Sequence, residues 1–461
     1  MNRIVITGFL LLSGCMVGPD FHQPHLVLPS AYKAAPGWVK AEPADITTKG
    51  KWWENFDDPV LNRLEAQVAV NNASLAADYY AYQQAVAITR EARGGLFPSL
   101  SLTSGATRAR QDAGLGSSGS FEGQASWSID LWGKIRRQIQ SDAAQAQVSA
   151  ADLADATLSA QAALASDYVY LRSADENISL LQKTIQAYQD SLRITQNKYQ
   201  AGTVSQSDVL TARTALENAQ SDMIADYAVR AQYEHAIAVL MGRAPAELSI
   251  APGHQIQFIP IPPPQVPSTL LQRRPDISAA ERQMEAENAQ IGVAEAAFYP
   301  DLSLSAVGGF AANPIAGLFT ASSALWSLGT TATVDLFAGG ARGQAVAAAN
   351  AAYMESVETY RQTVLTAFQQ VETDLTNLQI YAQQAQIQTR AVADARQAEQ
   401  IAMNEYEAGT IDYTTVASAQ VTLLSAQQTA LSVQQNRLLA SIALYQDLGG
   451  GFRASSLAKI P

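Results

Sequence analysis

Residues 134–201 read KIRRQIQSDAAQAQVSAADLADATLSAQAALASDYVYLRSADENISLLQKTIQAYQDSLRITQNKYQA, and this stretch decides how the rest of the chain must be arranged. Its 68 residues include no glycine or proline, and strong helix formers dominate it. A second such run, residues 344–408, is 65 residues long. At a rise of about 1.5 Å per residue, each run predicts a helix about 100 Å long. Because ordinary helices end after about three or four turns, helices this long need a partner along their whole length.

The first run carries the heptad pattern of a coiled coil. The second run repeats the pattern more loosely at Phe368, Val371, Leu375 and Leu378. A repeat of about 3.5 residues per turn predicts left-handed supercoiling against a neighbouring helix. The heptad positions of the first run are Leu164, Leu171, Ile178, Ile185, Leu192 and Tyr199, with Ala174, Leu181 and Tyr188 three positions after members of that series.

Composition excludes several classes of protein. The chain has 461 residues, of which 48% are hydrophobic and 16% charged, and its net charge is −12. An acidic chain without a basic stripe is not expected to bind nucleic acid. No run of about 18 or more apolar residues occurs, so no helix of the mature chain is expected to span a bilayer.

The N-terminus predicts export and lipidation. Residues 1–14 combine a basic start, a short apolar core and small residues, which is typical of a signal peptide. Cys15 follows Leu12-Ser13-Gly14, an arrangement that resembles the bacterial lipobox, in which the thiol is acylated and becomes the first residue. A chance cysteine in an ordinary signal peptide is the alternative. Cys15 is the only cysteine, so no disulfide framework can form within the chain.

An internal duplication with a period of about 200 residues divides the chain. In each half we expect a helix of moderate length (60–93, then 276–298), two strands, the long helix, a Gly-Thr break and a further helix (203–241, then 410–448). We therefore predict a signal peptide (1–14), a lipidated extended arm (15–50), a first repeat (51–258), a connector with the second repeat (259–448) and a tail (449–461). Three matches carry the duplication: residues 97–102 with 299–304, 128–132 with 333–337, and 198–203 with 405–410.

Two segments alternate between apolar or small and polar residues, with fainter examples at Leu100, Leu102, Leu302, Leu304 and Phe310. A period of two predicts strands with one apolar and one polar face, and about ten tilted residues can cross a bilayer. A soluble sandwich strand alternates in the same way. Four strands cannot close a barrel, so strands in lipid would require several copies of the chain, each giving four. The apolar or small positions are Phe121, Gly123, Ala125, Trp127, Ile129 and Leu131, then Trp326, Leu328, Ala332, Val334 and Leu336.

These features resemble the TolC-like outer-membrane factors, and within them the lipidated branch typified by OprM and NodT. The motifs are residues 15–21 (CMVGPDF), 52–56 (WWENF), 58–59 (DP) and 271–277 (LQRRPDI), with two Tyr-x-Ala-Gly-Thr turns at 199–203 and 406–410. The resemblance implies a mainly helical trimer in which three copies give four strands each to one transmembrane β-barrel, above a long periplasmic α-helical barrel. It also implies the exit duct of a tripartite, RND-type efflux system, with a periplasmic adaptor and an inner-membrane transporter as partners. In known lipoproteins, Met16 after the cysteine goes with delivery to the outer membrane.

The resemblance assigns roles to the two helix hairpins. In the family the hairpin turns form the periplasmic tip that meets the adaptor and constricts the channel, whereas ordinary helix caps are the plainer interpretation. The candidate adaptor contacts are Gly202, Thr203, Val204, Gly409, Thr410 and Ile411. The family's gate includes a tyrosine, matched by Tyr406, and a ring of aspartates. The gate candidates in this chain are Tyr406, Asp412, Asp208, Thr415 and Ser418, of which the last two stand where relatives often carry Asp.

The remaining polar residues predict no catalysis. Asp130 and Asp335 fall on the polar faces of their strands, where they are interpreted either as lumen charge or as solvated carboxylates. The four histidines are scattered, and no nucleophile–base set, metal-ligand spacing or phosphate loop occurs, so we expect no enzyme, cofactor or metal. Two alternatives stay open: a lipoprotein-anchored periplasmic coiled-coil scaffold, and the outer-membrane duct of type I protein secretion. The run Arg274-Pro275-Asp276 predicts a helix start.

Overall fold

The computed structural model of the chain describes residues 16–24, 50–111, 114–260 and 273–452. The predicted signal peptide, Cys15, most of the predicted arm and parts of the connector and tail lie outside the described residues.

Seven α-helices lie in the described residues, and they follow the same order in the two repeats. The long helices are 67 and 68 residues long, which confirms both. The first repeat contains α1 (Pro59–Asn71), α2 (Ala73–Gly94), α3 (Lys134–Gln200) and α4 (Gln206–Leu240); the second contains α5 (Pro275–Ala296), α6 (Ala341–Ala408) and α7 (Tyr413–Asp447).

The single helix predicted over residues 60–93 is wrong, because the chain breaks at Asn72. Its backbone is extended (φ −68°, ψ 120°), and its side-chain oxygen accepts hydrogen bonds from Ser74 N and Leu75 N at 2.9 and 3.2 Å. An asparagine that caps a new helix ends the preceding one. The Asn72 amide also donates to Leu240 O at 3.0 Å, so the break is tied to the end of α4.

The helices form a wall that is one layer thick. In the half next to the sheet the neighbours run α2, α3, α5 and α6, and in the far half they run α4, α3, α7 and α6. The two long helices therefore span both halves, while the shorter helices lie end to end beside them.

The predicted heptad seam is the spine of this wall. Leu164, Leu171 and Leu181 are fully buried, and Ile178 and Ile185 are nearly so. Burial decreases toward the far end of α3, where Leu192 is half-buried and Tyr199 is 45% exposed. In the second repeat Val371, Leu375 and Leu378 pack against Ala440 and Leu444 of α7. The pattern thus identified the buried side of each long helix.

Four antiparallel strands form one sheet in the order β1-β2-β3-β4. Their bounds are β1 Ser99–Gln111, β2 Gly114–Ile129, β3 Asp301–Ala312 and β4 Ala324–Thr333. The four predicted strands are confirmed, but β2 has 16 residues rather than about ten. Two strands end earlier than the alternation predicts. β2 stops before Leu131, and β4 stops before Val334 and Leu336.

None of the described helices combines the length and the apolar character needed to cross a membrane.

Candidate functional site

The strand register sorts the sheet into two chemically different faces. Directly paired residues share a face, and residues two apart along a strand do the same. Phe121 pairs with Phe310, and Trp127 pairs with Leu304, so the apolar positions of successive strands lie side by side. The opposite face carries mostly hydroxyl, amide and carboxylate groups. The large members of the apolar face are Leu100, Leu102, Phe121, Trp127, Ile129, Leu302, Leu304, Phe310, Trp326 and Leu328.

The junction between the sheet and α3 holds the start of the described chain. Val17 N donates to Trp132 O at 3.1 Å, and Arg137 Nε donates to Val17 O at 2.9 Å. Gly133, whose φ of +80° favours glycine, begins α3, and a Cβ there would collide with Met16. The residues that directly follow Cys15 are therefore fixed where the strands meet the helices.

Asp130 and Asp335 do not lie on strand faces, because both follow the last residue of their strands. Asp130 accepts hydrogen bonds from Ile135 N and Arg136 N, each at 3.0 Å, and forms an ion pair with Arg136 at 3.1 Å. Its side chain is only 8% exposed. Asp335 is exposed but forms the equivalent ion pair with Arg342 at 2.9 Å. Asp130 therefore accepts from N–H groups of the first turn of α3, where the helix dipole is positive, and each carboxylate is paired with an arginine.

The two hairpin turns share one backbone motif. Gly202 and Gly409 have φ values of +73° and +78°, and a Cβ at either would meet nothing within 4 Å. Thr203 N donates to Lys198 O at 2.9 Å, and Thr410 N donates to Glu405 O at 3.0 Å. These are the bonds of a Schellman cap, and each threonine hydroxyl donates to the same carbonyl as its own N–H. The Gly-Thr pairs therefore end the helices, while both threonines remain exposed.

A small buried core beneath the turns joins the second hairpin to α3. We call this cluster, which is centred on Tyr406 and Tyr413, the tip core. Tyr406 and Tyr413 are 1% exposed, and their rings meet edge to face at 5.5 Å. The Tyr406 hydroxyl donates to Thr195 Oγ1 at 3.1 Å. The Lys198 ammonium lies 4.2 Å from the centre of the Tyr406 ring and donates to the Tyr406 carbonyl. Ser191 donates to the Tyr413 hydroxyl at 3.3 Å.

The acidic and hydroxyl gate candidates occupy different environments from Tyr406. Asp208 is half-buried and forms a capping box with Ser205, whose N–H and hydroxyl both lie 3.0 Å from Asp208 Oδ2. Asp412, Thr415 and Ser418 are exposed at the start of α7, and Asp412 makes no side-chain cap. Val204 and Ile411, two predicted adaptor contacts, are partly buried against the tip core.

The sequence pattern alone did not identify four residues that contact the buried tyrosines beneath the turns or each other: Ser191, Thr195, Lys198 and Tyr413. Ser191 and Thr195 are 1% and 0% exposed. Together with Tyr188 they follow a spacing of three and four residues that continues the buried seam of α3. Polar residues at seam spacing were the signal available in the sequence.

A buried charge cluster joins three helices of the second repeat. Arg274 makes two bonds to Asp276, at 3.0 and 2.8 Å, and donates to Asp447 Oδ1 and to Asp447 O, each at 3.1 Å. Asp447 also accepts a hydrogen bond from Asp374, and two carboxyl groups can share a bond only by retaining a proton. Burial, and then the Asp447 charge, raise the pKa of Asp374 from 3.8 to about 8.

We expect Asp374→Asn to stabilise the protein increasingly as pH rises. The pKa of Asp374 is higher in the folded than in the unfolded state, so its favourable contribution is complete below about pH 4 and is lost as pH rises through about 8. The loss approaches about 1.4 kcal/mol per pH unit for one proton. Unfolding free energies of the parent and the variant at pH 5, 6, 7 and 8 test this. Asp394→Asn, an exposed position on α6, is the control, and a difference independent of pH would contradict the prediction.

Comparison with known proteins identifies relatives along nearly the whole chain. The family model described as outer membrane efflux protein matches residues 64–243 and 266–450. The solvent efflux pump outer membrane protein SrpC of Pseudomonas putida is 31% identical over 97% of this chain and 98% of its own length. The probable efflux pump outer membrane protein TtgC of the same species is 28% identical over 97% and 95%.

Solved structures are similar in fold as well. The outer-membrane channel OprN superposes with a TM-score of 0.87 at 26% identity, covering 97% of this chain and all of its own. The Campylobacter jejuni CmeC outer membrane channel has a TM-score of 0.89 at 24% identity, covering 96% of each chain, and shows the shared fold alone.

Proposed function

We propose how this chain works from one premise: it belongs to the outer membrane efflux protein family, and it is the outer-membrane channel component of an efflux system. In this proposal the chain is a passive exit duct for small molecules. The observation that carries the mechanism is the register that places the apolar strand positions on one face and most polar positions on the other.

Three copies would form the duct. One chain leaves both edges of its sheet unpaired, and lipid offers no water to satisfy unpaired backbone groups. The helical wall is incomplete in the same way. Its α6 edge exposes Ile380, Ile387 and Ile401 at heptad spacing, which suits a helix of a second copy. Closing the copies around one axis turns the polar sheet face toward a shared pore and the apolar face toward lipid.

The position of the proposed lipid anchor is inferred from the junction between the sheet and α3. Met16 and Val17 are held where β2 leads into α3, so acyl groups on Cys15 would begin beside the membrane-facing end of the helical wall. Two or three acyl chains on one residue suffice for stable anchoring. We also retain the division into signal peptide, arm, two repeats and tail as our proposal for the domains.

The hairpin turns are the proposed contact with a periplasmic adaptor, which would connect the duct to an inner-membrane transporter. The exposed side chains of Thr203 and Thr410 and the two glycine turns form the outermost part of each hairpin. The buried tyrosine core holds the second hairpin against α3 and is the proposed closing element. Asp412, Thr415 and Ser418 lie exposed beside it and are proposed to line the constriction.

Spin labels on the sheet test the orientation of the two faces. Because Cys15 is the only cysteine, single cysteines can be labelled specifically in the Cys15→Ser background. Labels at Trp127 and Leu328 should be accessible to oxygen dissolved in the bilayer and protected from a water-soluble relaxation agent. Labels at Ser126 and Ser327 should show the opposite, and a label at the exposed Arg390 of α6 is the aqueous control.

The opposite accessibility pattern would mean that the sheet is not the wall of an aqueous pore. Conductance of the purified protein in planar bilayers is the second test. A periplasmic scaffold that crosses no membrane would give neither conductance nor the lipid-accessible labels.

A further inference from the structure

The outer rim of the sheet, farthest from the helices, combines an apolar ledge with two exposed arginines. The ledge belongs to residues 313–323, which connect β3 to β4. Phe319 lies 5.9 Å from Phe121 and 5.7 Å from Phe310, both on the apolar face. A Cβ built at Gly119 would lie 2.7 Å from Ile315, so this connection folds over the same face.

The cations belong to the hairpin of β1 and β2, which continues past the other two strands. The last pair of β2 with β3 is Gly119 with Ala312, whereas β1 and β2 stay paired up to Gln111 and Gly114. Alternation from Leu102 places Arg108 and Arg110 on the apolar face, opposite Ser117 and Leu115. Both arginines are exposed, and among the described residues neither forms an ion pair.

The distance of Arg108 from the helical end of the sheet follows from its pairing with β2. From Ile129 to Ser117, the partner of Arg108, the strand rises about 40 Å at about 3.3 Å per residue. At a tilt of about 40° this is about 30 Å along the membrane normal, and the apolar band of such sheets is about 25 Å tall. Arg108 therefore lies just outside the hydrocarbon region, and Arg110 lies about 5 Å farther out.

We propose that this rim binds a phosphorylated glycolipid of the outer leaflet, of the lipid A type. Acyl chains would lie on Ile315, Leu318 and Phe319, and the phosphate groups would accept hydrogen bonds from the guanidinium groups of Arg108 and Arg110. Arginine matches phosphate geometry with two parallel hydrogen bonds. In a chain of net charge −12, two exposed arginines that form no ion pair with any described residue lie directly above an apolar surface, and they complement an anionic lipid headgroup. The proposal goes beyond the duct and rests on the lipid-facing orientation of the apolar face, which the spin labels test separately.

Native mass spectrometry of the full-length protein in detergent can measure this binding, with hexa-acylated bisphosphorylated lipid A and its dephosphorylated analogue as probes. We expect the parent protein to prefer the phosphorylated lipid by about tenfold or more, because charge-assisted bonds carry the recognition. Arg108→Gln with Arg110→Gln should abolish the preference. Arg390→Gln with Arg396→Gln removes the same charge from α6 and should retain it. Phe319→Ala should weaken binding of both lipids.

Heat-modifiability on gels checks that each variant folds. Equal binding of the two lipids by the parent protein would overturn the proposal without reference to any variant. An unchanged preference in the folded double-arginine variant would overturn it as well. If the spin labels report an aqueous duct and the lipid preference is absent, only the headgroup site is lost and the proposed function stands.

Discussion

Replacing Tyr406 with alanine together with Asp412→Ala should raise the single-channel conductance in planar bilayers severalfold. The Tyr406 ring is fully buried in the tip core, where it meets Tyr413, Thr195 and Lys198. Losing a buried aromatic ring costs about 3–5 kcal/mol of packing. At this site the loss falls on the contacts that hold the second hairpin against α3. The second substitution removes an exposed carboxylate from the turn beside it.

The single variants separate the two contributions. Tyr406→Ala alone should account for most of the increase, because the residue bridges two hairpins. Tyr406→Phe retains the ring and removes only the bond to Thr195, so its effect should be smaller, in keeping with a neutral hydrogen bond worth about 1 kcal/mol. Asp412→Ala alone should change cation preference more than conductance, since a carboxylate near a pore attracts cations.

Tyr227→Ala is the matched control, because this tyrosine lies on α4 and is 46% exposed. Its conductance should equal that of the parent. If the Tyr406 and Asp412 double variant conducts like the parent, neither residue belongs to the gate.

The largest expected loss of stability follows from Arg274→Met. The arginine connects the start of α5 to Gln370 of α6 and Asp447 of α7, and its side chain is 10% exposed. Without it, Asp276 and Asp447 would lose the cation that they share. Breaking a buried ion pair by removing one partner typically costs about 3–5 kcal/mol. Denaturant titration of the helical circular dichroism signal measures the change.

Arg361→Ala provides the control, because its ion pair with Glu358 is 3.7 Å long and both side chains are more than half exposed. Exposed pairs contribute about 1 kcal/mol or less. Combining Arg274→Met with Asp447→Asn should recover part of the loss, since the charge left unpaired is then removed as well. Equal stabilities of the Arg274 and Arg361 variants would show that the cluster does not hold these helices together.

The positions of residues that follow a periodic pattern could be predicted from the sequence, whereas the roles of isolated polar residues could not. The heptad positions of α3 from Leu164 to Ile185 are buried because a repeat close to the helical period leaves only one side for a partner. Asn72 fits a helical pattern but breaks the helix, because its side-chain oxygen caps α2 while its amide donates to Leu240 O at the end of α4, which lies 168 positions away. Asp130 continues the alternation, which predicts a position on a strand face, whereas in the structure it lies past the end of β2 and accepts hydrogen bonds at the start of α3.

The contacts of Tyr406 near the hairpin turns also depend on the tertiary structure. The resemblance pointed to Tyr406, but its partners on α3 become visible only when the second hairpin is packed against the first, and they are more than 200 positions away. Residues 313–323 have no periodic pattern, so their packing over the apolar face could not be predicted from the sequence either.

The sequence by itself determined the long helices, the four strands and the two-faced sheet, because each has a local periodicity that the backbone must satisfy. It determined the duplication through motifs that recur about 200 residues apart. Only the tertiary structure decided which carboxylates form ion pairs, which tyrosine is buried and hydrogen-bonded, and where arginines lie above the apolar ledge. Those properties depend on contacts between residues far apart in the chain, and no local period specifies which of them meet.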